Sequence, residues 1–123
     1  MEQIVLVITT VADRAVADTL AAGAVRRRYA ACAQVGGPIT STYLWQGAVE
    51  TASEWVVQFK TAAERADRLV DHLRETHPYE VPEVVVTPVL GGNPDYAAWV
   101  VAETDPDQAA PGGGAGQAPP SVR

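Results

Sequence analysis

The chain has 123 residues, 47% of them hydrophobic, and nine Lys and Arg against fifteen Asp and Glu give a formal net charge of −6. This length and apolar content suit one domain with its own core and are too small for two. The acidic balance argues against a nucleic-acid partner, because binding to a phosphate backbone relies on cationic side chains.

The N-terminus lacks the pattern of an export signal. Met1-Glu2-Gln3 carries an acidic rather than a basic residue, and the apolar run Ile4 to Ile8 is too short for a signal-peptide core or a membrane span. A single cysteine excludes an intrachain disulfide. We therefore expect a cytoplasmic protein with no membrane partner.

The same apolar run is mostly β-branched and predicts a central strand. Asp13 then stands as the N-cap of an amphipathic helix that ends near Arg28, with its apolar residues four positions apart. The basic run Arg26-Arg27-Arg28 is typical of a helix C-terminus, where cations interact favourably with the helix dipole.

The middle of the chain predicts a long β-hairpin. A strand starts within residues 29–35, Gly36-Gly37-Pro38 indicates a bulge or bend, and alternation resumes from Ile39 to Trp45. Gln46-Gly47-Ala48 is a turn signal, after which alternation continues from Glu50 to Thr61.

A hairpin of this length implies a partner chain, because long exposed strand edges tend to be paired. Tyr43, Trp45 and Trp55 are expected to face outward, where aromatic side chains suit an oligomer interface better than bare solvent. The alternative is that all three rings pack on the helices of their own chain.

Two sequence signals mark the start and the end of a second predicted helix, and a proline-containing segment follows it. Thr61-Ala62-Ala63-Glu64 has the spacing of a capping box, and Pro78 ends the helix by His77. The segment His77-Pro78-Tyr79-Glu80-Val81-Pro82-Glu83 is held extended by its prolines, so that an imidazole, a phenol and two carboxylates lie on a stiff backbone. It leads into Val84-Val85-Val86, which predicts a buried strand, while Pro88 favours a sheet edge or a bulge.

The C-terminal part predicts a short helix and a tail. Asp95 to Val101 has an amphipathic pattern with Tyr96 and Trp99 among its inward residues. We place the folded domain at residues 1–103. Residues 104–123 are rich in Pro and Gly and predict a disordered tail, because such a composition cannot offset its ordering entropy.

The predicted order is strand, helix, strand, strand, helix, strand and short helix. Two βαβ units joined by a long central hairpin make a ferredoxin-like βαββαβ fold, with both main helices on one face of the sheet. The fold class is therefore α/β, as an α+β sandwich.

Several short motifs, taken together, resemble one protein family. They are Ala31-Cys32-Ala33-Gln34, Ser41-Thr42-Tyr43-Leu44-Trp45-Gln46-Gly47, Lys60-Thr61, the segment from His77 to Glu83, and Tyr96-Ala97-Ala98-Trp99. In this order they resemble the CutA family of divalent-cation tolerance proteins. The resemblance implies a homotrimer of ferredoxin-like subunits whose long hairpins pair across subunit boundaries. It also implies a part in the response to metal ions, with copper the ion most often invoked.

His77 is the first metal-ligand candidate, since a neutral imidazole binds copper or zinc readily and this ring lies between a helix end and a rigid turn. Glu80, Glu83 or a residue of a neighbouring subunit would complete a weak site for Cu²⁺ or another divalent cation. Members of the family offer a second His and a Cys where this chain has Thr76 and Thr9, and both differences remove donors. The alternative is that His77 caps the helix or forms a hydrogen bond across an interface.

Cys32 is the second metal-ligand candidate. It matches the cysteine of the family, and as a soft ligand or redox thiol it would need to be exposed and activated. Alanines surround it in the sequence. The alternative is therefore a buried free cysteine that behaves as a small hydrophobe.

The remaining candidates are Lys60, Tyr79, Glu80 and Glu83, expected to form a polar network at a subunit boundary. The sequence has neither a nucleophile elbow nor a Walker-type phosphate loop, so we expect no catalysis. The predicted function is a trimeric, non-enzymatic divalent-cation tolerance protein. One alternative is a PII-like signalling trimer that binds a small anionic ligand in intersubunit clefts near Lys60, Tyr79 and Trp99; another is an interaction scaffold.

Overall fold

Residues 1–107, the part that the computed structural model describes, fold into a four-stranded antiparallel sheet with three α-helices. The strand order is β2-β3-β1-β4, which is the predicted ferredoxin-like arrangement, so the fold prediction is confirmed. The elements are β1 (Ile4–Val11), α1 (Arg14–Arg26), β2 (Cys32–Trp45), β3 (Ala48–Ala62), α2 (Ala66–Thr76), β4 (Val84–Pro88) and α3 (Pro94–Glu103).

β1 lies at the centre of the sheet, as its continuous apolar run predicted. It pairs with β3 along its whole length and with β4 over Val5 to Thr9. Ile4 packs with Ala97 and Val100 of α3 in a small second cluster. The side chains of β1 that alternate with Ile4 point to the opposite face of the sheet, where α1 and α2 pack. The two helices share this face, as predicted. This main core includes Val7, Val57, Phe59, Leu69 and Leu73, all fully buried.

α1 begins and ends with defined caps. Asp13 is the predicted N-cap, and its carboxylate accepts two backbone N–H groups of the first turn at 2.7 and 3.4 Å. At the other end Arg28 adopts φ 58°, and the N–H groups of Arg28 and Tyr29 each donate to carbonyls of the last turn at 3.0 Å. These bonds form a Schellman motif, which directs Tyr29 back over the helix. Arg28 also pairs with Glu103 at 3.0 Å, which joins the ends of α1 and α3.

The predicted capping box at the start of α2 is wrong. β3 continues to Ala62, a 3₁₀ turn covers Ala63–Arg65, and α2 begins at Ala66 without a side-chain cap. Thr61 is fully buried, and within residues 1–107 its hydroxyl has no hydrogen-bond partner. Because β3 pairs with β1 up to Ala62, sheet pairing overrides the local signal for a helix start.

The long hairpin is confirmed. Its strands meet at Gln46 (φ 50°) and Gly47 (φ 84°), which have the positive φ angles that favoured two-residue hairpin turns require. The predicted irregularity lies just before Ile39, where the register of β2 against β3 shifts. β1 pairs with β3 only from Trp55 onwards, so residues 39–54 extend beyond the sheet as a two-stranded arm. We call these residues the projecting ribbon.

β4 is an edge strand, as Pro88 predicted, but it is not buried as its valines predicted. Val84 packs against the main core, whereas Val85 and Val86 are each 43% exposed. Val86 shares the helix-covered face with Val84, but α2 covers only the beginning of this strand, and Val85 points to the opposite face. A run of valines shows that both faces are apolar and leaves open whether a single chain covers them.

Helix α3 ends at Glu103, and the residue after it still packs against the helix. Asn93 caps α3, and Thr104, the residue after α3, is fully buried and donates its hydroxyl to the helix backbone at 2.9 Å. Thr104 therefore packs with the domain. The division into residues 1–103 and a tail at 104–123 stays a prediction, since residues 108–123 lie outside the described residues.

Candidate functional site

The segment of residues 77–83 links α2 to β4, and both of its ends are fixed to the sheet and helix. α2 stops at Thr76 as predicted, because His77 takes an extended conformation (φ −72°, ψ 139°) in front of a proline. At the other end Thr9 of β1, itself fully buried, donates its hydroxyl to the carbonyl of Glu83 at 2.6 Å. The stiffness expected from two prolines is thus reinforced by contacts with β1.

The His77 side chain is buried, and both of its ring nitrogens are engaged within the chain. Nδ1 accepts the backbone N–H of Tyr79 at 3.0 Å, and Nε2 lies 2.8 Å from the carbonyl oxygen of Thr10. Since a carbonyl can only accept, we assign the neutral tautomer with its proton on Nε2. The imidazole therefore ties residues 77–83 to β1. A metal ion could bind this ring only by displacing one of these hydrogen bonds.

Tyr79 extends the same cluster to the root of the projecting ribbon. Its ring lies edge-on to His77, with centroids 4.7 Å apart, and its hydroxyl donates to Oε2 of Glu54 at 2.9 Å. Burial, and then the hydrogen bond to Glu54 and its negative charge, raise the pKa of Tyr79 to about 12. Glu54 is only 9% exposed and was missed by the sequence analysis. Its one sequence signal is a carboxylate directly before Trp55 in an apolar strand.

The expected network of Lys60 with Tyr79, Glu80 and Glu83 is not brought together within one chain. Nζ of Lys60 instead donates to the side-chain oxygen of Gln34, on the neighbouring strand, at 2.6 Å. Glu80 and Glu83 are exposed. A network at a subunit boundary stays a prediction for an assembly. Glu80 borders a surface depression of about 350 Å³ together with Asp71, Arg74, Glu75 and Pro82.

Cys32 lies half-buried at the start of β2, beside α3. Burial of the Tyr96 phenol, and then the adjacent Cys32 side chain, raise the pKa of Tyr96 to about 12. The ring of Trp99 lies 5.7 Å from that of Tyr96, and both pack against the second cluster as partly buried side chains. Tyr96 is thus a neighbour of the cysteine, a contact that the sequence did not predict.

Cys32 and His77 are too far apart to bind one metal ion within a chain. Cys32 is level with Leu6 of β1 through Lys60 of β3, whereas His77 contacts Thr10, four residues further along β1. At about 3.3 Å per residue the two levels are about 13 Å apart. Within residues 1–107, no group of three or more His, Cys, Asp or Glu side chains is arranged to hold a metal ion.

Comparison with known proteins identifies the family. The family model described as "CutA1 divalent ion tolerance protein" matches residues 5–103. The chain belongs to this CutA1 family. The divalent-cation tolerance protein CutA of Thermus thermophilus is 38% identical over 100 residues, which cover 81% of this chain and 95% of the relative. Two vertebrate relatives are longer, and this family member spans about half of their length. The Xenopus laevis CutA homolog is 42% identical over 85 residues, which are 56% of its length, and mouse CutA is 41% identical over 91 residues, which are 51%.

Solved structures of CutA1 proteins have the same fold. The crystal structure of CutA from Xylella fastidiosa superimposes with a TM-score of 0.81 at 33% identity, covering 83% of this chain and 98% of that one. The Thermus thermophilus structure gives a TM-score of 0.80 at 35% identity, covering 83% and 99%. The family resemblance inferred from the short motifs is therefore confirmed.

The hairpin aromatics of this CutA1 chain divide into two kinds. Tyr43 and Trp45, on the projecting ribbon, are 40% and 57% exposed, as the sequence predicted. Trp55 does not face outward: it packs against the main core, and the guanidinium of Arg14 lies 4.9 Å from the centre of its ring. It differs because β3 is already paired with β1 at Trp55, so that α1 covers this part of the strand.

Proposed function

We propose that this chain is a divalent-cation tolerance protein that acts in the response of the cell to metal ions and is not an enzyme. The match of the CutA1 family model to residues 5–103 carries the proposal. The Thermus thermophilus relative, named a divalent-cation tolerance protein, supports it because the alignment covers 95% of that relative. The relatives compared above carry CutA names, so they lend no support to the PII-like alternative.

A genetic experiment tests this role. The chain is expressed in a bacterium whose own CutA relative has been deleted, and growth is compared over a range of Cu²⁺ and Zn²⁺ concentrations. We expect the chain to restore the growth that the deletion costs at raised metal concentration. Growth that stays at the level of an empty vector, with the protein present and folded, would contradict the proposed role.

We further propose that Cu²⁺ or another divalent cation binds directly but weakly, at His77 together with Glu80, Glu83 or a residue of a neighbouring subunit. Both ring nitrogens of His77 are hydrogen-bonded, so binding a metal costs one of these bonds and the affinity is reduced. Cys32 is too distant to add a soft donor from the same chain. Weak binding is what this donor set supports.

Calorimetric titration of Cu²⁺ into metal-free protein tests direct binding. We expect saturable heat from wild type, none from His77→Ala, and wild-type behaviour from His72→Ala, which removes the other histidine. Glu80→Gln and Glu83→Gln provide a second test, because His77 also holds the backbone in place. Absence of binding to wild type, or equal binding to His77→Ala, would overturn the direct site while leaving the tolerance role open to the growth experiment.

The assembly that we propose is a cytoplasmic homotrimer joined through the projecting ribbon. This ribbon pairs only with itself in one chain, and a lone two-stranded hairpin is marginally stable in water. Its exposed apolar side chains would be covered by a second copy. Within residues 1–107, no helix has the length and apolar character needed to cross a membrane. The exposed apolar side chains of the ribbon are Ile39, Tyr43, Leu44, Trp45 and Val49.

A further inference from the structure

Two arginines and a histidine surround Tyr29 between the end of α1 and the start of α2. Arg68 and His72 are four residues apart on one side of α2, and Arg65 lies three residues before Arg68, in the 3₁₀ turn that precedes this helix. The guanidinium carbons of Arg65 and Arg68 lie 5.6 and 5.3 Å from the centre of the Tyr29 ring, and the His72 ring lies 5.0 Å from it. We call these four residues the Tyr29 cluster.

The geometry of the Tyr29 cluster is held by the backbone as well as by the rings. The Schellman motif at the end of α1 fixes Tyr29, whose N–H donates to the carbonyl of Ala24 at 3.0 Å. Arg68 donates from Nη2 to the Tyr29 hydroxyl at 3.2 Å. Two guanidinium groups, one from the 3₁₀ turn and one from α2, are therefore positioned against the Tyr29 ring just after α1. Donors that are fixed in advance lose less conformational entropy when a ligand binds.

The two arginines of the cluster form no salt bridge within the described chain, although Glu64 and Asp105 line a surface depression together with Arg65. Glu64 also precedes Arg68 by four residues, but in residues 1–107 these two side chains do not form an ion pair. The Nε–H of Arg65 is buried without a hydrogen-bond partner in the same part of the chain.

The surroundings of His72 show the same excess of positive charge. Burial, and then the charge of Arg27, lower the pKa of His72; Arg68 acts in the same direction and Glu75 in the opposite one. His72 is therefore a neutral ring with an N–H that can donate. The cationic groups are concentrated here although the chain as a whole has a net charge of −6.

We propose that the Tyr29 cluster binds a phosphate group, either inorganic phosphate or the phosphate of a small monoester. Guanidinium groups form charge-assisted hydrogen bonds with phosphate oxygens, and the side chains of Arg65, Arg68 and His72 all lie around one ring. The negative charge elsewhere on the chain disfavours anions away from this position. The site does not depend on metal binding.

Proton NMR of the two histidine rings tests this site in the full chain. Inorganic phosphate and glycerol 3-phosphate are titrated at constant pH, with sodium chloride of matched ionic strength as the reference. We expect the His72 resonances to shift to saturation and the pKa of His72 to rise, because a bound anion stabilises the imidazolium. The buried His77 resonances should stay in place. A tighter response to glycerol 3-phosphate would identify a monoester as the ligand, and an equal response would identify the phosphate group alone.

Two variants on α2 make the test specific. Arg68→Gln should weaken binding by about tenfold or more, the loss of a charged hydrogen bond. Arg74→Gln, which removes an exposed arginine of the same helix that borders the depression next to Glu80, should bind like wild type. The proposal is overturned if chloride produces the same shifts, if phosphate produces none, or if Arg68→Gln binds as well as wild type.

Discussion

The fold makes the phenol of Tyr79 harder to deprotonate. Burial and Glu54 raise its pKa from 10.0 to about 12, so the folded chain favours the protonated phenol. The stabilisation that results from this raised pKa is complete below about pH 10 and is lost as the pH rises from 10 towards 12. We expect Tyr79→Phe to lose less stability than wild type over this range. Urea unfolding at a series of alkaline pH values measures the difference.

Glu54→Gln separates the two causes of this shift. The variant removes the charge beside the Tyr79 hydroxyl and leaves its burial, the larger cause, in place. The pKa of Tyr79, followed by the ultraviolet absorbance of tyrosinate, should therefore fall part of the way back. If Tyr79→Phe loses stability as steeply as wild type, the phenol is not the group that titrates.

The sequence predicts the stiffness of residues 77–83 but not the hydrogen bonds of their side chains. The prolines act on adjacent residues, so their effect can be inferred from local sequence. By contrast, His77 is bonded to the backbone carbonyl of Thr10, 67 positions away, and Tyr79 is bonded to Glu54, 25 positions away. A backbone carbonyl leaves no residue-type signal. The sequence therefore could not show that both ring nitrogens of His77 are already hydrogen-bonded within the chain.

At the scale of elements, the bend in β2 depends on one glycine. Gly37 has φ +139°, and an added Cβ would lie 3.1 Å from the carbonyl oxygen of Glu54 and 3.1 Å from a ring carbon of Trp55. Gly37→Ala should therefore lower the free energy of unfolding by about 1–3 kcal/mol, measured by chemical denaturation.

Gly36→Ala is the matched control for this change. A Cβ at Gly36 would meet no atom within 4 Å, so the variant should unfold close to the wild-type denaturant concentration. Equal destabilisation by the two substitutions would show that the strand responds to any loss of glycine. The conformation of Gly37 would then not be what matters.

Local signals predicted the elements correctly where the tertiary structure agreed with them. Asp13 caps α1, and Gln46 with Gly47 forms the hairpin turn, because both signals act within a few residues. The capping box failed since pairing of β3 with β1 keeps Thr61 in the strand. The valines of β4 misled for a related reason, because their burial depends on what covers the strand and not on their own propensity.

At the scale of the whole molecule, the projecting ribbon is the feature that one chain leaves incomplete. Alternation of residues predicted both its length and its outward Tyr43 and Trp45, and the structure confirms these features. It could not predict that Trp55 lies where the ribbon enters the sheet, since that depends on how far β1 extends along β3. The proposed trimer would cover the apolar side chains beyond this point, which a single chain leaves exposed.

Trp45→Ala tests whether the ribbon joins the subunits. If the indole is buried between copies, its loss should cost about 2 kcal/mol or more at each contact. Light scattering should then give three times the 13.0 kDa chain mass for wild type and a smaller mass, or a lower melting temperature, for the variant. Trp45→Phe should retain most of the contact, and Val25→Ala, on α1 and 37% exposed, should change neither quantity. A Trp45→Ala protein of unchanged mass and stability would mean that the subunits, if they associate, do so through another surface.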